Sequence, residues 1–279
     1  MKPLATWPLV DRHPIIGVFT DIDDTLTTNG AITPDALKAL AELKAAGLHV
    51  VAITGRPVGW SEPFACTWPV DAIVAENGAV ALVKSVDSDQ KAPQRNADGH
   101  GVLSKIYQQD AETRTRNFAC MQRVAARVLR EVEGAQLARD SAGRETDIAI
   151  DHSEFTQLAP ERIAQVVGLL QSEGMNATVS SIHINAWLGD HNKLVGARWA
   201  VRQLWGRDLD AELHRWVYVG DSTNDQLMFQ HFPHSVGVAN VRRFASELAC
   251  LPRYITPSER GAGFAEVASL VLAARPAMP

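Results

Sequence analysis

Apolar and polar positions follow two periods along the N-terminal part of the chain. Ile15 to Thr20 is a short, β-rich apolar run that ends in a cluster of acids. Thr33-Pro34 then reads as an N-cap followed by proline at the first helical position. Leu37, Leu40, Ala41 and Leu43 share one face of the helix that follows, which stops at Gly47. Leu48 to Thr54 and Val70 to Ala75 read as buried strands. Strands alternating with helices predict a parallel sheet covered on both faces.

The pattern changes after about residue 82. Residues 85–101 are polar and turn-rich, the composition of a linker or loop. Beyond them the spacing predicts a long amphipathic helix over Glu112 to Glu133, strands at Gln136 to Arg139 and Thr146 to Asp151, a helix from Pro160 to Glu173, and strands around Thr178 to Leu188. Such a run does not alternate strictly and indicates a separate α+β module. From Asn192 the α/β alternation resumes, with a helix over Leu194 to Trp205 and a strand at Trp216 to Val219. A helix after Thr223, short strands at Ser235 to Ala239 and Tyr254 to Thr256, and a last helix after the Gly261-Ala262-Gly263 turn complete the chain. The expectation is one α/β domain, residues 1–82 and 189–279, interrupted by an inserted module at 83–188.

Composition agrees. At roughly 100–200 residues per domain, 279 residues make two. A hydrophobic share of 46% supports a sizeable core and excludes disorder. A net charge of −5 argues against nucleic-acid binding. The longest apolar stretches, such as the run Val267 to Ala274, fall far short of the ~20 residues of a membrane span. The first residues lack both a basic segment and an apolar core, so no secretory signal is read. Cys66, Cys120 and Cys250 are scattered and form neither a disulfide framework nor a CxxC pair, as in a reducing cytoplasm. A cytoplasmic enzyme with neither a nucleic-acid nor a membrane partner is expected.

The chemistry sits at strand ends. Asp21, Asp23 and Asp24 follow the first strand, at the sheet edge where open α/β folds bind ligands. Two carboxylates as close as Asp21 and Asp23 resist joint ionisation unless a cation lies between them. A second acidic group, Gly220-Asp221-Ser222-Thr223-Asn224-Asp225, follows the strand at 216–219. Oxygen ligands of this kind suit Mg²⁺, which takes one or two carboxylates and keeps its remaining sites for waters and phosphate. Thr54-Gly55-Arg56 ends the second strand and offers a hydroxyl and free backbone N–H groups to a phosphate. Lys193, at the start of the helix after the insertion, supplies a neutralising ammonium.

In this order, Asp21 to Thr25, Thr54 to Arg56, Lys193 and Gly220 to Asp225 resemble the motifs of the haloacid-dehalogenase-like phosphohydrolase superfamily. The resemblance implies a Rossmann-like core and an aspartyl-phosphate mechanism. It makes Asp21 the nucleophile, Asp23 the general acid and base, Thr54 a phosphoryl contact and Lys193 the charge balance. It places Mg²⁺ on Asp21, the Asp23 backbone carbonyl, Asp221 and Asp225, with Asp225 direct or behind a ligand. Gly55, Arg56 and Asn224 join Thr54 around the phosphate. The insertion lies between Thr54 and Lys193, entered through Glu76-Asn77-Gly78-Ala79 on a strand. That layout is similar to the type IIB branch, with an α+β cap and phosphosugar phosphatases among its members. Asp24 and Ser222 stand where many members have glycine.

Substrate choice then falls to the cap. Alternation puts His183, Asn185 and Trp187 on one strand face, where a His, an amide and an aromatic suit a sugar. Arg144, Asp147 and Asp151 are further candidates, and His191 is as much a hinge surface residue as a contact. The reading is a Mg²⁺-dependent phosphatase acting on a small phosphorylated carbohydrate. A phosphosugar mutase or a non-catalytic phosphosugar-binding protein on the same fold are the alternatives.

Overall fold

The structure is a computed structural model that describes residues 1–84 and 102–275; the segment 85–101, read as a linker, lies outside the described residues. Its longer strands are β1 (Gly17–Thr20), β2 (His49–Ile53), β3 (Ala72–Ala75), β4 (Val80–Lys84), β5 (Leu103–Tyr107), β6 (Asp147–Asp151), β7 (Asn176–Val179), β8 (His183–Trp187), β9 (Trp216–Gly220) and β10 (His234–Gly237). Its longer helices are α1 (Pro34–Ala45), α2 (Val58–Thr67), α3 (Ala111–Glu131), α4 (Pro160–Ser172), α5 (Lys193–Trp205), α6 (Gln226–His231) and α7 (Arg260–Ala273).

Nine strands form the main sheet, in the order Lys2–Pro3, Tyr254–Ile255, β10, β9, β1, β2, β3, β4, β5. All neighbours are parallel except at β4, which runs against β3 and β5. Side chains alternate across this sheet as the pleat requires. Val18, Val50 and Val217 face the core shared with α1 and α7. Phe19, Val51 and Tyr218 face the other, under α5 and α6. Thr33 caps α1 by accepting from Ala36 N at 3.4 Å, with Pro34 behind it.

A four-stranded antiparallel sheet, in the order β7, β8, β6 and Gln136–Leu137, forms the cap. Ile148, Ile150, Ile184 and Ala186 bury one face against Met121, Val124 and Val128 of α3 and Val166 and Leu170 of α4. The other face, bearing Asp151 opposite His183 and Ala149 opposite Asn185, turns to the carboxyl edge of the main sheet.

Several elements differ from the sequence reading. β5 belongs to the main sheet although it falls within 83–188, because β4 and β5 pair across the polar segment. α2 was hidden by Pro63, which interrupts any helical pattern on paper but is tolerated in this short helix. Glu76–Gly78 is a 3-10 turn between β3 and β4, with Glu76 and Asn77 at φ +49° and +55°, and not part of a strand. Gly261 and Gly263 lie inside α7, where a Cβ would run into Thr33 and Ser258.

Two seams join cap and core. Glu76, fully buried, accepts from Val58 N in the core and from Glu145 N, Thr146 N and Thr146 Oγ1 in the cap. Nearby, the backbones of Gly59 and Gly143 touch, so that a Cβ on Gly59 would lie 2.9 Å from Gly143 Cα. A second glycine contact sets the start of α5. A Cβ on Gly78 would lie 2.4 Å from Asn192 O, and one on Gly196 would lie 2.5 Å from Gly78 Cα.

Candidate active site

β1 and β9 are neighbours at the point where the sheet order reverses, so their carboxyl ends deliver Asp21 and Asp221 to one place. Lys193 is the first residue of α5, directly after Asn192, whose side chain caps the helix by accepting from Val195 N at 2.9 Å. From there Lys193 Nζ reaches Asp21 Oδ1 at 2.6 Å and Asp225 Oδ1 at 2.7 Å. Burial alone would push this ammonium down; the two carboxylates outweigh it and hold Lys193 above its ordinary range.

Asp225 has no acceptor capacity to spare. Its Oδ1 also accepts from Tyr218 Oη, and its Oδ2 accepts from Asp221 N at 2.8 Å and Ser222 N at 3.1 Å. It therefore orients Lys193 and the turn after β9. Asp221 is different. Its Oδ2 accepts from Asn240 Nδ2 at 3.0 Å, while its Oδ1 is buried with no hydrogen-bond partner.

Asp21, Asp221 and Asp225 bring oxygens within 4.8 Å of one another, all buried. Burial first, then the neighbouring carboxylates, push Asp221 well above the usual range. Asp21 moves up for the same reasons despite the pull of Lys193. One ammonium offsets one of three buried negative charges; a divalent cation offsets the other two. The orphaned Asp221 Oδ1 and the all-oxygen donor set fit a hard cation of that charge.

Thr54, Gly55 and Asn224 line a cavity of about 10 Å³ with Asp21, Asp23, His183 and Asn185, room for about one water. Thr54 Oγ1 accepts from Arg56 N at 3.0 Å. Arg56 departs from the phosphate-binding expectation. Its buried guanidinium donates from Nε and Nη2 to Asp23, from Nη1 to Asp140 at 3.1 Å and from Nη2 to Glu154 at 2.7 Å. Every nitrogen is committed to a carboxylate, which leaves none for a phosphoryl oxygen in this conformation.

The cap candidates separate into two groups. His183 donates from Nε2 to Glu154 at 2.8 Å, and Asn185 donates to Gly55 O at 3.1 Å; both line the cavity. Burial would raise Glu154, but hydrogen bonds from His183 and Arg56 outweigh it and bring it down to about 2. Arg144, Asp147 and Trp187 lie off this cavity. Arg144 donates to Asp147 at 2.7 Å and to Gly55 O at 3.1 Å, a buried cap–core tie. Trp187 donates to His191 O and its ring stacks on the His191 ring at 5.5 Å. Asp151 accepts from Glu154 N and Phe155 N and holds their turn. His191 is buried, not a surface residue.

Sequence reasoning missed Asn240, Asp140, Glu154 and Tyr218. Asn240 alone carried a signal, since it follows the strand predicted at 235–239 and so falls on the same sheet edge. It also donates to Asp24 O at 3.0 Å and so secures the left-handed turn at Asp24, φ +53°.

A second cavity of about 320 Å³ opens beside the first. Asp23, Arg56 and Ile182 line both, and its wall also includes Asp24, Asn29, Ser153, Glu154, Phe155 and Arg260. Among the described residues no helix is long and apolar enough to cross a membrane.

No curated protein matches the sequence closely enough to count as a relative. Solved structures share its fold. A HAD/COF-like hydrolase from Plasmodium vivax superposes with a TM-score of 0.65 at 15% identity, over 95% of this chain and 99% of that one. The sucrose-phosphatase of Synechocystis, solved with sucrose and phosphate, gives 0.61 at 15% identity, over 92% and 97%. A HAD subclass IIB sugar phosphatase gives 0.55 at 15% identity, over 86% and 93%. The family model for haloacid dehalogenase-like hydrolases matches residues 18–182, more than half of the chain. With the motif residues gathered at one sheet edge beneath an α+β cap, the chain belongs to the haloacid dehalogenase-like hydrolase family, with the cap arrangement of its IIB type.

Proposed function

We propose that the protein is a Mg²⁺-dependent phosphatase that hydrolyses a phosphomonoester of a small carbohydrate through an aspartyl phosphate on Asp21. The observation that carries this reading is the pairing at 2.6 Å of Lys193 with Asp21, which itself lines a cavity with Asp23, Thr54 and Asn224. A buried carboxylate pinned beside an ammonium is a fixed nucleophile whose repulsion from a phosphate dianion is reduced.

In the first half-reaction, Asp21 attacks phosphorus and the bond to the alcohol oxygen breaks, with Asp23 giving that oxygen its proton. In the second, Asp23 takes a proton from water as the water oxygen attacks phosphorus, and Asp21 leaves. Lys193 offsets charge on the nucleophile side, while Thr54 Oγ1 and Asn224 face the transferring group. Asp21, Asp221 and the Asp23 carbonyl would hold Mg²⁺, with Asp225 and Asn240 fixing the loop behind them. When bound, the ion supplies charge stabilisation to the phosphoryl oxygens.

The carbohydrate part rests on the larger cavity. Asp23 borders both spaces, so the alcohol that receives its proton belongs in the 320 Å³ one. Its charged groups are matched within the protein: Arg56 with Asp23 and Glu154, and Arg260 with Asp24 at 3.0 Å. The Asn29 amide and the Ser153 hydroxyl, which donates to Ser181 O and can still accept, face this space as neutral polar groups, and the half-exposed Phe155, with Arg139 on one side of its ring, offers an apolar surface. A neutral, hydroxyl-rich leaving group fits that wall better than a second anion. The sugar phosphatases among the structural neighbours support the same class.

The test is phosphate release from a panel of phosphosugars, polyol phosphates and nucleotides, with Mg²⁺ or EDTA and Asp21→Asn as control. Turnover that needs Mg²⁺, is lost in the variant and concentrates on phosphosugars supports the proposal. Folded protein that releases no phosphate from any of them overturns it.

A further inference from the structure

We propose that Arg56 is a positioning residue through which closure of the cap sets the orientation of Asp23. The inference rests on the reading of Asp23 as the proton donor to the alcohol. Arg56 is 5% exposed and stands between two sets of acids. On the core side, Nε lies 3.1 and 2.9 Å from the two Asp23 oxygens, and Nη2 lies 2.9 Å from Oδ1. On the cap side, Nη1 lies 3.1 Å from Asp140 Oδ2, and Nη2 lies 2.7 Å from Glu154 Oε1.

A guanidinium is planar and its donors point in fixed directions, so whatever sets its plane also sets the carboxylates bound to it. Two cap acids and the Trp60 ring, 4.9 Å from the Arg56 carbon, define that plane. The cap acids are themselves held. Glu154 is paired with His183 at 2.8 Å, and Asp140 accepts from Arg144 Nη2 at 3.1 Å. Asp23 has no partner among the described hydrogen bonds other than Arg56 for its carboxylate.

The consequence is a coupling. With the cap in place, Arg56 is clamped from two sides and Asp23 is presented in one rotation, between the phosphoryl cavity and the alcohol cavity. Without Asp140 and Glu154 the guanidinium keeps only Asp23 and Trp60, and the pair can swing together. Small misplacements of a proton donor are costly, since a displacement of about 1 Å can reduce rate about 10²-fold.

Rate with a series of substituted phenyl phosphates tests this, because the ring hardly changes in shape while the leaving oxygen's need for a proton changes strongly. The variants are Arg56→Lys, Asp140→Asn and Glu154→Gln, with Asp23→Asn as reference and thermal unfolding as a check on folding. In Asp23→Asn, kcat/KM should fall at least about tenfold more on phenyl phosphate than on p-nitrophenyl phosphate. Arg56→Lys and Glu154→Gln should shift in the same direction by a smaller factor. A purely structural ion cluster lowers both substrates equally. Equal losses in the Arg56 and cap variants, beside a steepened Asp23→Asn, overturn the coupling. A flat response in Asp23→Asn itself overturns the role of Asp23 and removes the basis of the coupling with it.

Discussion

Lys193 Nζ lies 2.6 Å from Asp21 Oδ1, and Asp225 holds it there from the other side at 2.7 Å. The two residues lie 172 positions apart in the sequence, and no other ammonium or guanidinium among the described residues is paired with Asp21. Lys193→Ala should lower kcat on an aryl phosphate by about 10²–10³-fold, the scale for removing one preorganised charge-stabilising donor. Steady-state kinetics on the folded variant decide it; a loss under tenfold contradicts the role of Lys193 as charge balance.

Carboxylate crowding makes a prediction for the metal-free protein. Asp21 rises from its ordinary 3.8 to about 7, through burial first and its acidic neighbours next. The folded state then holds protons that the unfolded chain releases, so stability in EDTA should fall as pH rises from about 4 to 7. Mg²⁺ should raise the melting temperature most at the upper end of that window. Asp221→Asn should stabilise the metal-free protein and erase the Mg²⁺ response. A melting temperature indifferent to Mg²⁺ in the parent protein would count against the metal site.

His191 carries the opposite sign. Its ring is buried on Trp187, and neither nitrogen hydrogen-bonds within the protein. Burial lowers it from 6.5 to about 4. Between those values the unfolded chain takes up a proton the folded one refuses, so this ring should cost up to about 3 kcal/mol of stability as pH drops from 6.5 to 4. Urea unfolding of His191→Phe at a series of pH values isolates the effect. The gap between variant and parent should widen toward pH 4, and a constant gap refutes the assignment.

Glu76 should behave as a cap fastener. Four donors from both sides of the seam converge on its carboxylate, and burial pushes the group up against them. Glu76→Ala leaves those donors unpaired and should cost about 3–5 kcal/mol in urea unfolding. Amide exchange at Glu145 and Thr146 should accelerate more than exchange within β1. Uniform acceleration would point to general loosening instead.

The core was legible because its signals are local. Val18 and Phe19 alternate within one strand, Thr33 and Pro34 start α1 within two residues, and the acidic motifs and Thr54-Gly55-Arg56 are contiguous strings at strand ends. What stayed hidden is built from pairs far apart in sequence. Arg56 meets Asp140 and Glu154 only after the cap folds back over β2, and no spacing rule connects them. Arg144, Asp147 and Trp187, in or beside cap strands, bond to Gly55 O, to each other and to His191 O, and in sequence polar and aromatic residues carry the same signature whether they meet a ligand or another domain. β5 was missed for a similar reason, since it joins the main sheet by pairing with β4, on the other side of the polar segment in sequence.

Gly78 and Gly196 touch backbone to backbone where α5 begins, three residues from Lys193. Neither has a functional group, yet any added carbon there would push the helix start away from β3 and carry the ammonium off Asp21. In a saturation survey of this chain scored by turnover, these two positions should group with the aspartates and the lysine. Such a map would record an empty spot in the fold as though it were a reagent.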